Sequence, residues 1–385
     1  MIRIKNSLLT SRHEEFINLV DSISRQYIDP IADKIDRENY YPREVMRVLG
    51  KNGILDPKLP IDYGGLSFDN LSVALSVEII SRYSGSLGIL TEVQGSLVAH
   101  SIYKYGTKYM VEEIVPKLAT GELIGSFALT EPCCGSDAAA IETRAERKGG
   151  EWVINGRKIW ITQGIYADIY VVFTRTGPKE AKHKTITAFL LRRNNCIEAT
   201  PLEVMGIRGT GTSELRFNDC VVGDDDIVGK VNEGFKIAMD ALNIGRLAVA
   251  SVALGLAEAA YDEALRWVRE RTAFGNPLIE FEWVQYELAH MRALIETMRA
   301  ITYETAMHFD KSYDDYYAFA SIAKLIVASN SVDIARRALQ LLGAYGLSVN
   351  NKLNRIYRDA KLMEIGEGTN EVQMRVLSKW LVKHD

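Results

Sequence analysis

Near the end of the chain a glutamate stands directly before a glycine, in the run Glu367-Gly368-Thr369-Asn370-Glu371. A carboxylate held in a dry pocket has a raised pKa and becomes a better general base. A glycine beside it lets the backbone pass close to a ligand with no Cβ in the way. The run also reads as a loop in which Thr369 or Asn370 caps the last helix, and both readings can hold at once. Far upstream lies a second run, Phe127-Ala-Leu-Thr-Glu-Pro-Cys-Cys-Gly-Ser-Asp137. Ser136, in its Gly-Ser-Asp turn, is either a ligand contact or a turn-stabilising hydroxyl. Trp160 and Thr162 are two apart on a predicted strand and so share a face; taken alone they could simply fill a core. Asn243 and Arg246 are three apart on a predicted helix and share a face too. An arginine in an apolar helix is seldom left unpaired. Arg271 closes that helix, where a cation complements the macrodipole. No Walker A run or strand-linked G-x-G-x-x-G is present, and Gly206-Ile-Arg-Gly-Thr-Gly211, with the wrong order and among strands, reads as a loop.

These residues need a scaffold. A chain of 385 residues is too long for one compact core and fits two or three domains. Apolar residues make up 47% and charged residues 25%, as in soluble globular proteins. A net charge of −4 argues against a general nucleic-acid or membrane-surface binder. No apolar run reads as a bilayer span, and the polar start Met-Ile-Arg-Ile-Lys-Asn has no signal-peptide core. A cytoplasmic location is expected. Cys133 and Cys134 are sequence neighbours, which rarely pair, and no C-x-x-C spacing suggests zinc. Together with Cys196 and Cys220 they are expected to be reduced, and no metal site is expected.

The chain changes character twice. Residues 1–125 read as helical, with amphipathic runs at 14–27 and 73–105 broken by Asp29-Pro30 and Tyr63-Gly64-Gly65. Residues 126–230 read as β. Asn155-Gly156 between two apolar-alternating runs predicts a type I′ hairpin, and further strands are expected at 169–175, 185–192 and 214–222. Residues 231–385 are helical again, at 235–271, 281–309, 313–342 and 369–383. Short loops between such helices predict an antiparallel four-helix bundle.

The two chemical runs, in this order and over this distance, resemble the acyl-CoA dehydrogenase family of flavoproteins. Collinear matches extend over essentially the whole chain: Tyr105-Gly-Thr107, Gly121-Glu-Leu123, Ile154-Asn-Gly-Arg-Lys158, Gly234-Phe-Lys236, Arg271-Thr-Ala-Phe-Gly275, Gln340-Leu-Leu-Gly343 and Tyr357-Arg-Asp-Ala-Lys361. The resemblance implies an α+β multidomain fold: an N-terminal helical domain, a central β-barrel domain and a C-terminal four-helix bundle. It implies FAD as cofactor and α,β-dehydrogenation of an acyl-CoA to a trans-2-enoyl-CoA.

In this resemblance Glu367 takes the α-proton, and its backbone N–H supports the thioester carbonyl as enolate charge develops. Some members carry the base just before the arginine matching Arg246; here that position is Gly245, which cannot act. Phe127, Leu129, Thr130, Ser136, Trp160, Ile161, Thr162, Thr369 and Glu371 match flavin-contacting positions. Arg271, Phe274, Gln340, Leu341, Leu342 and Gly343 match residues that reach a neighbouring subunit's cofactor, which implies a homotetramer. Ser136, Asn243, Arg246 and Gly368 match substrate-contacting positions. Glu282 replaces a usual glutamine facing FAD, and Ala344 the second glycine of a Gly-Gly pair. The stretch around Val93-Gln-Gly-Ser-Leu97 looks most like glutaryl-CoA dehydrogenases, but Gly88 stands where they have a carboxylate-binding arginine. The acyl tail is therefore expected to be apolar rather than a dicarboxylate, with Ile89 and Val93 as lining candidates. Electron-transfer flavoprotein is the expected acceptor. The rivals are an acyl-CoA oxidase using O2 and a flavin-binding, nucleic-acid-associated relative without dehydrogenase activity; the acidic charge balance speaks against the latter.

Overall fold

Residues 7–384 are described by the computed structural model. The N-terminal part holds α1 (Ser11–Ile23), α2 (Ala32–Glu38), α3 (Arg43–Lys51), α4 (Asn70–Tyr83), α5 (Gly85–Glu92), α6 (His100–Tyr105) and α7 (Val115–Ala119). Local chemistry sets their ends. Asp69 Oδ1 accepts from Ser72 N at 2.9 Å and caps α4. The run expected to be one long helix over 73–105 breaks at Ser84, which is extended (φ −153) and whose hydroxyl caps α5 through Leu87 N. After α5 the chain stays helical through wider π-type turns at Val93–Ala99 and continues into α6.

The central part is an eight-stranded mixed sheet: β1 (Gly125–Ala128), β2 (Arg144–Lys148), β3 (Glu151–Ile161), β4 (Ile169–Arg175), β5 (Ile186–Arg192), β6 (Ile197–Pro201), β7 (Ser213–Val222) and β8 (Ile227–Val228). The strand order is β6-β7-β3-β2-β4-β5-β8, with β1 parallel beside β4. The expected Asn155-Gly156 hairpin is not formed. β3 runs straight through those residues, and the turn lies at Gly149-Gly150 between β2 and β3, both glycines at positive φ. Asn155-Gly156 is instead a bulge in the pairing of β3 with β7. A Cβ on Gly156 would lie 2.4 Å from Thr143 Oγ1, so glycine is needed for close approach and not for a turn.

The cysteines are not reduced. Cys133 pairs with Cys134, and Cys196 pairs with Cys220. For the second pair the fold supplies what sequence spacing could not: the segment entering β6 lies against β7, with Cα atoms 5.3 Å apart, in the range a disulfide spans.

The C-terminal part holds α8 (Gly234–Glu270), α9 (Glu282–Asp310), α10 (Tyr316–Leu342), the short α11 (Ala344–Leu347), α12 (Lys352–Met363) and α13 (Asn370–His384). α8 is buried over most of its middle, packed on α4, α9, α10 and α12. It and α10 are long and apolar enough by length and composition to cross a bilayer, against the expectation of no such run. In this fold the apolar stretch of α8 is 78% buried inside the protein, as befits a core helix. α12 joins the four expected helices. It is capped by Asn351, whose Oδ1 accepts from Leu353 N at 2.8 Å, and it packs on α8 and α10.

Candidate active site

Glu367 sits in the loop between α12 and α13. Its backbone is left-handed (φ 55), followed by Gly368 at φ 93. A non-glycine residue in that region persists only where its surroundings hold it. Gln373 on α13 supplies the hold: its Nε2 donates to Glu367 O at 3.2 Å and to Gly368 O at 2.8 Å. Arg246 Nε on α8 adds a longer bond to Glu367 O, 3.4 Å. Thr369 caps α13 by accepting from Val372 N. The capping reading of this run is therefore true, and it coexists with a carboxylate turned inward.

Glu367 Oε2 is buried and has no hydrogen-bond partner. Burial pushes its pKa up to about 7, against the pull of Arg246 and then Lys324. A carboxylate raised toward neutrality is a stronger base in its ionised form than an exposed one. Arg246 is buried and donates from Nη1 to Asn243 Oδ1 at 2.7 Å. Lys324 on α10 was not singled out from the sequence. Its Nζ donates to Asn370 Oδ1 at 3.1 Å, and burial lowers its pKa to about 8 while Glu367 pulls it up. Asn370 in turn donates to Ser329 Oγ at 2.9 Å. A lysine within the apolar, Ala-rich first half of α10 was the available signal.

Gly245 faces this carboxylate. A Cβ there would lie 2.9 Å from Glu367 Oε2, 3.0 Å from Leu97 Cδ2 and 3.1 Å from Glu92 Oε1. A second buried carboxyl thus approaches the same point, and the sequence reading passed over it. Its signal was a single acid in the apolar stretch from Leu87 to Leu97. Ile89 and Val93, on the same stretch of helix, are buried. Gly88 offers no way to a cation: a Cβ on it would lie 2.0 Å from Ser81 Oγ.

The two upstream segments come together beside the end of β3. Ile159 N donates to Thr130 O at 2.9 Å, and Ser126 Oγ donates to Thr162 O at 2.6 Å. Lys158 is fully buried and donates to Leu129 O at 2.9 Å and Glu131 Oε1 at 2.7 Å. Its ion pair with Glu131 pins the 129–131 loop to β3; burial lowers the lysine to about 8. Phe127 and Leu129 are buried, while Ser136 is exposed. Trp160 is 57% exposed at φ 61, at a second bulge of β3. Ile161 is buried in the sheet's own core, so only its backbone is open to a ligand; Thr162 is half-buried.

The remaining positions lie elsewhere. Arg271 stands about 25 residues beyond Arg246 along the chain, roughly 38 Å of helix. It is exposed and lies 5.6 Å from the Tyr345 ring centroid. Phe274 is 93% exposed. Gln340 and Gly343 are exposed at the end of α10, while Leu341 and Leu342 are buried in the core. Glu282 is exposed and accepts from Tyr286 OH. Glu371 is exposed in the first turn of α13. Within one chain these groups do not form one site with Glu367.

Three family models cover this chain in order: the acyl-CoA dehydrogenase N-terminal domain over residues 10–122, the middle domain over 126–220 and the C-terminal domain over 232–382. The chain belongs to the acyl-CoA dehydrogenase family. It is 36% identical over 377 residues to the human mitochondrial short-chain specific acyl-CoA dehydrogenase, covering 97% of this chain and 91% of that one. Butyryl-CoA dehydrogenase from Megasphaera elsdenii superposes with a TM-score of 0.94 at 34% identity, covering 99% of this chain and 100% of that one. A chain from a study titled for the electron transferring flavoprotein of Acidaminococcus fermentans superposes with a TM-score of 0.94 at 34% identity, covering 98% and 99%. This acyl-CoA dehydrogenase family member is thus an oxidoreductase of a flavoprotein family with the acyl-CoA dehydrogenase fold.

Proposed function

We propose that the protein converts an acyl-CoA thioester to a trans-2-enoyl-CoA with FAD as cofactor and Glu367 as base. The observation that carries this is the buried, unpartnered Glu367 Oε2, held near neutrality between burial and two cations. Its α-proton acceptor role needs an ionised carboxylate with a free oxygen, and both are supplied. Arg246, tied to Asn243, secures the loop and contributes the charge that keeps Glu367 ionisable. Gly368 leaves the adjoining backbone open to the thioester, whose carbonyl takes the Glu367 N–H as negative charge develops.

The residues present fit a flat aromatic cofactor. Trp160 and Phe274 expose large aromatic surfaces that the chain itself leaves uncovered. Leu129, Thr130, Ser136, Trp160, the Ile161 backbone and Thr162 would hold the flavin, with Phe127 packed behind them; Thr369 and Glu371 would flank it. Arg271, Phe274, Gln340 and Gly343, with the backbones of Leu341 and Leu342, would serve the cofactor of a second copy, which is why a homotetramer is proposed. When bound, FAD supplies a hydride acceptor. Electron-transfer flavoprotein is the proposed onward acceptor. Anaerobic mixing with acyl-CoAs while following flavin absorbance tests the reading. Bleaching by at least one acyl-CoA is expected; a preparation that refuses added FAD, or holds it and bleaches with none of a broad panel, sinks it.

A further inference from the structure

Glu92 has no task in the chemistry described so far. It ends α5 with 1% of its surface exposed, and its Oε1 is buried with no hydrogen-bond partner. Among the described residues no lysine, arginine or histidine forms an ion pair with it. Buried polar atoms are nearly always satisfied, and an orphan in a native fold calls for an explanation. Its position supplies one. Glu92 Oε1 and Glu367 Oε2 approach the same point over Gly245, with Leu97 Cδ2 as the third neighbour. A substrate whose α-carbon meets Glu367 Oε2 brings the next carbons of its acyl chain within reach of Glu92.

Resting on the dehydrogenase reading above, we propose that Glu92 selects the substrate: its acyl chain carries an uncharged hydrogen-bonding group, such as a hydroxyl, on the carbon following the two that lose hydrogen. The choice of an uncharged group follows from the neighbours. Glu367 has Arg246 and Lys324 to favour its ionised form, whereas Glu92 has neither. Burial and then the Glu367 charge push Glu92 well above the ordinary carboxylate value, which favours the neutral acid, with one O–H to give and one carbonyl oxygen to accept. A hydroxyl can satisfy both atoms. An alkyl chain satisfies neither, and a second carboxylate adds a charge where no cation waits. The expectation of an apolar tail rather than a dicarboxylate, drawn from Gly88, is thereby narrowed: a dicarboxylate is still disfavoured, but the wall is not wholly apolar.

The test compares kcat/KM for 4-hydroxybutyryl-CoA and butyryl-CoA in the wild-type protein and in Glu92→Leu, with FAD content measured in both. In the wild type the hydroxylated substrate is expected to be favoured. In Glu92→Leu the ratio of the two should fall by roughly tenfold or more, because a buried hydrogen bond is lost for one substrate and an unsatisfied acid is removed for the other. Glu92→Gln, which keeps a neutral donor and acceptor, should retain most of the discrimination. It also decides the matter if the leucine variant does not fold. A merely structural Glu92 would lower both substrates together and leave the ratio unchanged, and that result overturns the proposal. So does a wild type that prefers butyryl-CoA, or one that prefers 4-trimethylammoniobutyryl-CoA over both. Failure of the dehydrogenase reading is seen separately, as absence of bleaching with every acyl-CoA.

Discussion

Two regions of this molecule carry the groups expected to do chemistry, and they are built in opposite ways. Around Glu367 the chemistry is inside: its Oε2 oxygen, Arg246, Lys324 and Glu92 are buried among core helices, and Gln373 clamps the loop from α13. At the far end of α8 the charged and aromatic groups are outside. Arg271 and Phe274 stand in solvent beside the exposed end of α10. A single chain completes the first region and leaves the second open. The lesson is that proton chemistry depends on desolvation, which one fold can supply alone. Holding a large cofactor can be shared between copies, since it needs exposed donors and aromatic faces.

That contrast can be broken most sharply at its dry end. Glu367→Gln keeps size, loop and backbone N–H but removes the proton acceptor. Flavin reduction by a good acyl-CoA should slow by about 10²–10⁴-fold or more, with FAD retained. Gly245 provides no substitute base, so near-wild-type bleaching would remove Glu367 from the mechanism. Next in size is the substrate charge. With Gly88 packed on Ser81 and Glu92 close by, glutaryl-CoA should turn over roughly a hundredfold more slowly than a butyryl chain, as expected for an unpaired buried charge. Equal turnover would reveal a cation reaching the site.

The open end should respond differently. Arg271→Ala should weaken FAD retention by about tenfold, the worth of one charge-assisted hydrogen bond, measured as flavin released on dilution. The pH dependence of catalysis by the retained fraction should not move; a moved profile would mean that the two regions are not separable. The smallest effect expected is on pH itself. Since Glu367 must be ionised to accept a proton, and its pKa is raised to about 7, kcat/KM should climb as pH rises through about 7 and then level. Stability runs the other way. A carboxyl raised from 4.5 to about 7 contributes stability below 4.5 that is lost as pH rises through 7. An activity limb near pH 4.5 would show that the site is wet.

Much of this was legible beforehand. The helix–sheet–helix order and the four long C-terminal helices followed from periodicity, and Glu367 from a carboxylate beside a glycine in a family-like setting. What escaped shares a cause: it depended on partners distant in sequence. Asn155-Gly156 has the composition of a turn, yet β7 pairs along both sides of it and Thr143 presses on Gly156. Cys196 and Cys220 gave no signal because β6 and β7 alone bring them together. Trp160 and Thr162 were placed by simple alternation, which a bulge with positive φ at Trp160 interrupts. Glu92 was visible as a lone acid in an apolar helix and Lys324 as a cation in the apolar first half of α10, but only the fold brings them near Glu367.

Gly245 has a consequence for how such a site can change. In part of the family the base occupies this position. Here the Cβ alone would press on Glu367, Glu92 and Leu97 at once. A glutamate gained at 245 would crowd three acids into one dry volume. A side chain at 245 would therefore need room made at 92, 97 and 367 together. The bare α-carbon of one glycine thus acts as a spacer: it leaves the volume in which two carboxyl groups and a leucine methyl can meet.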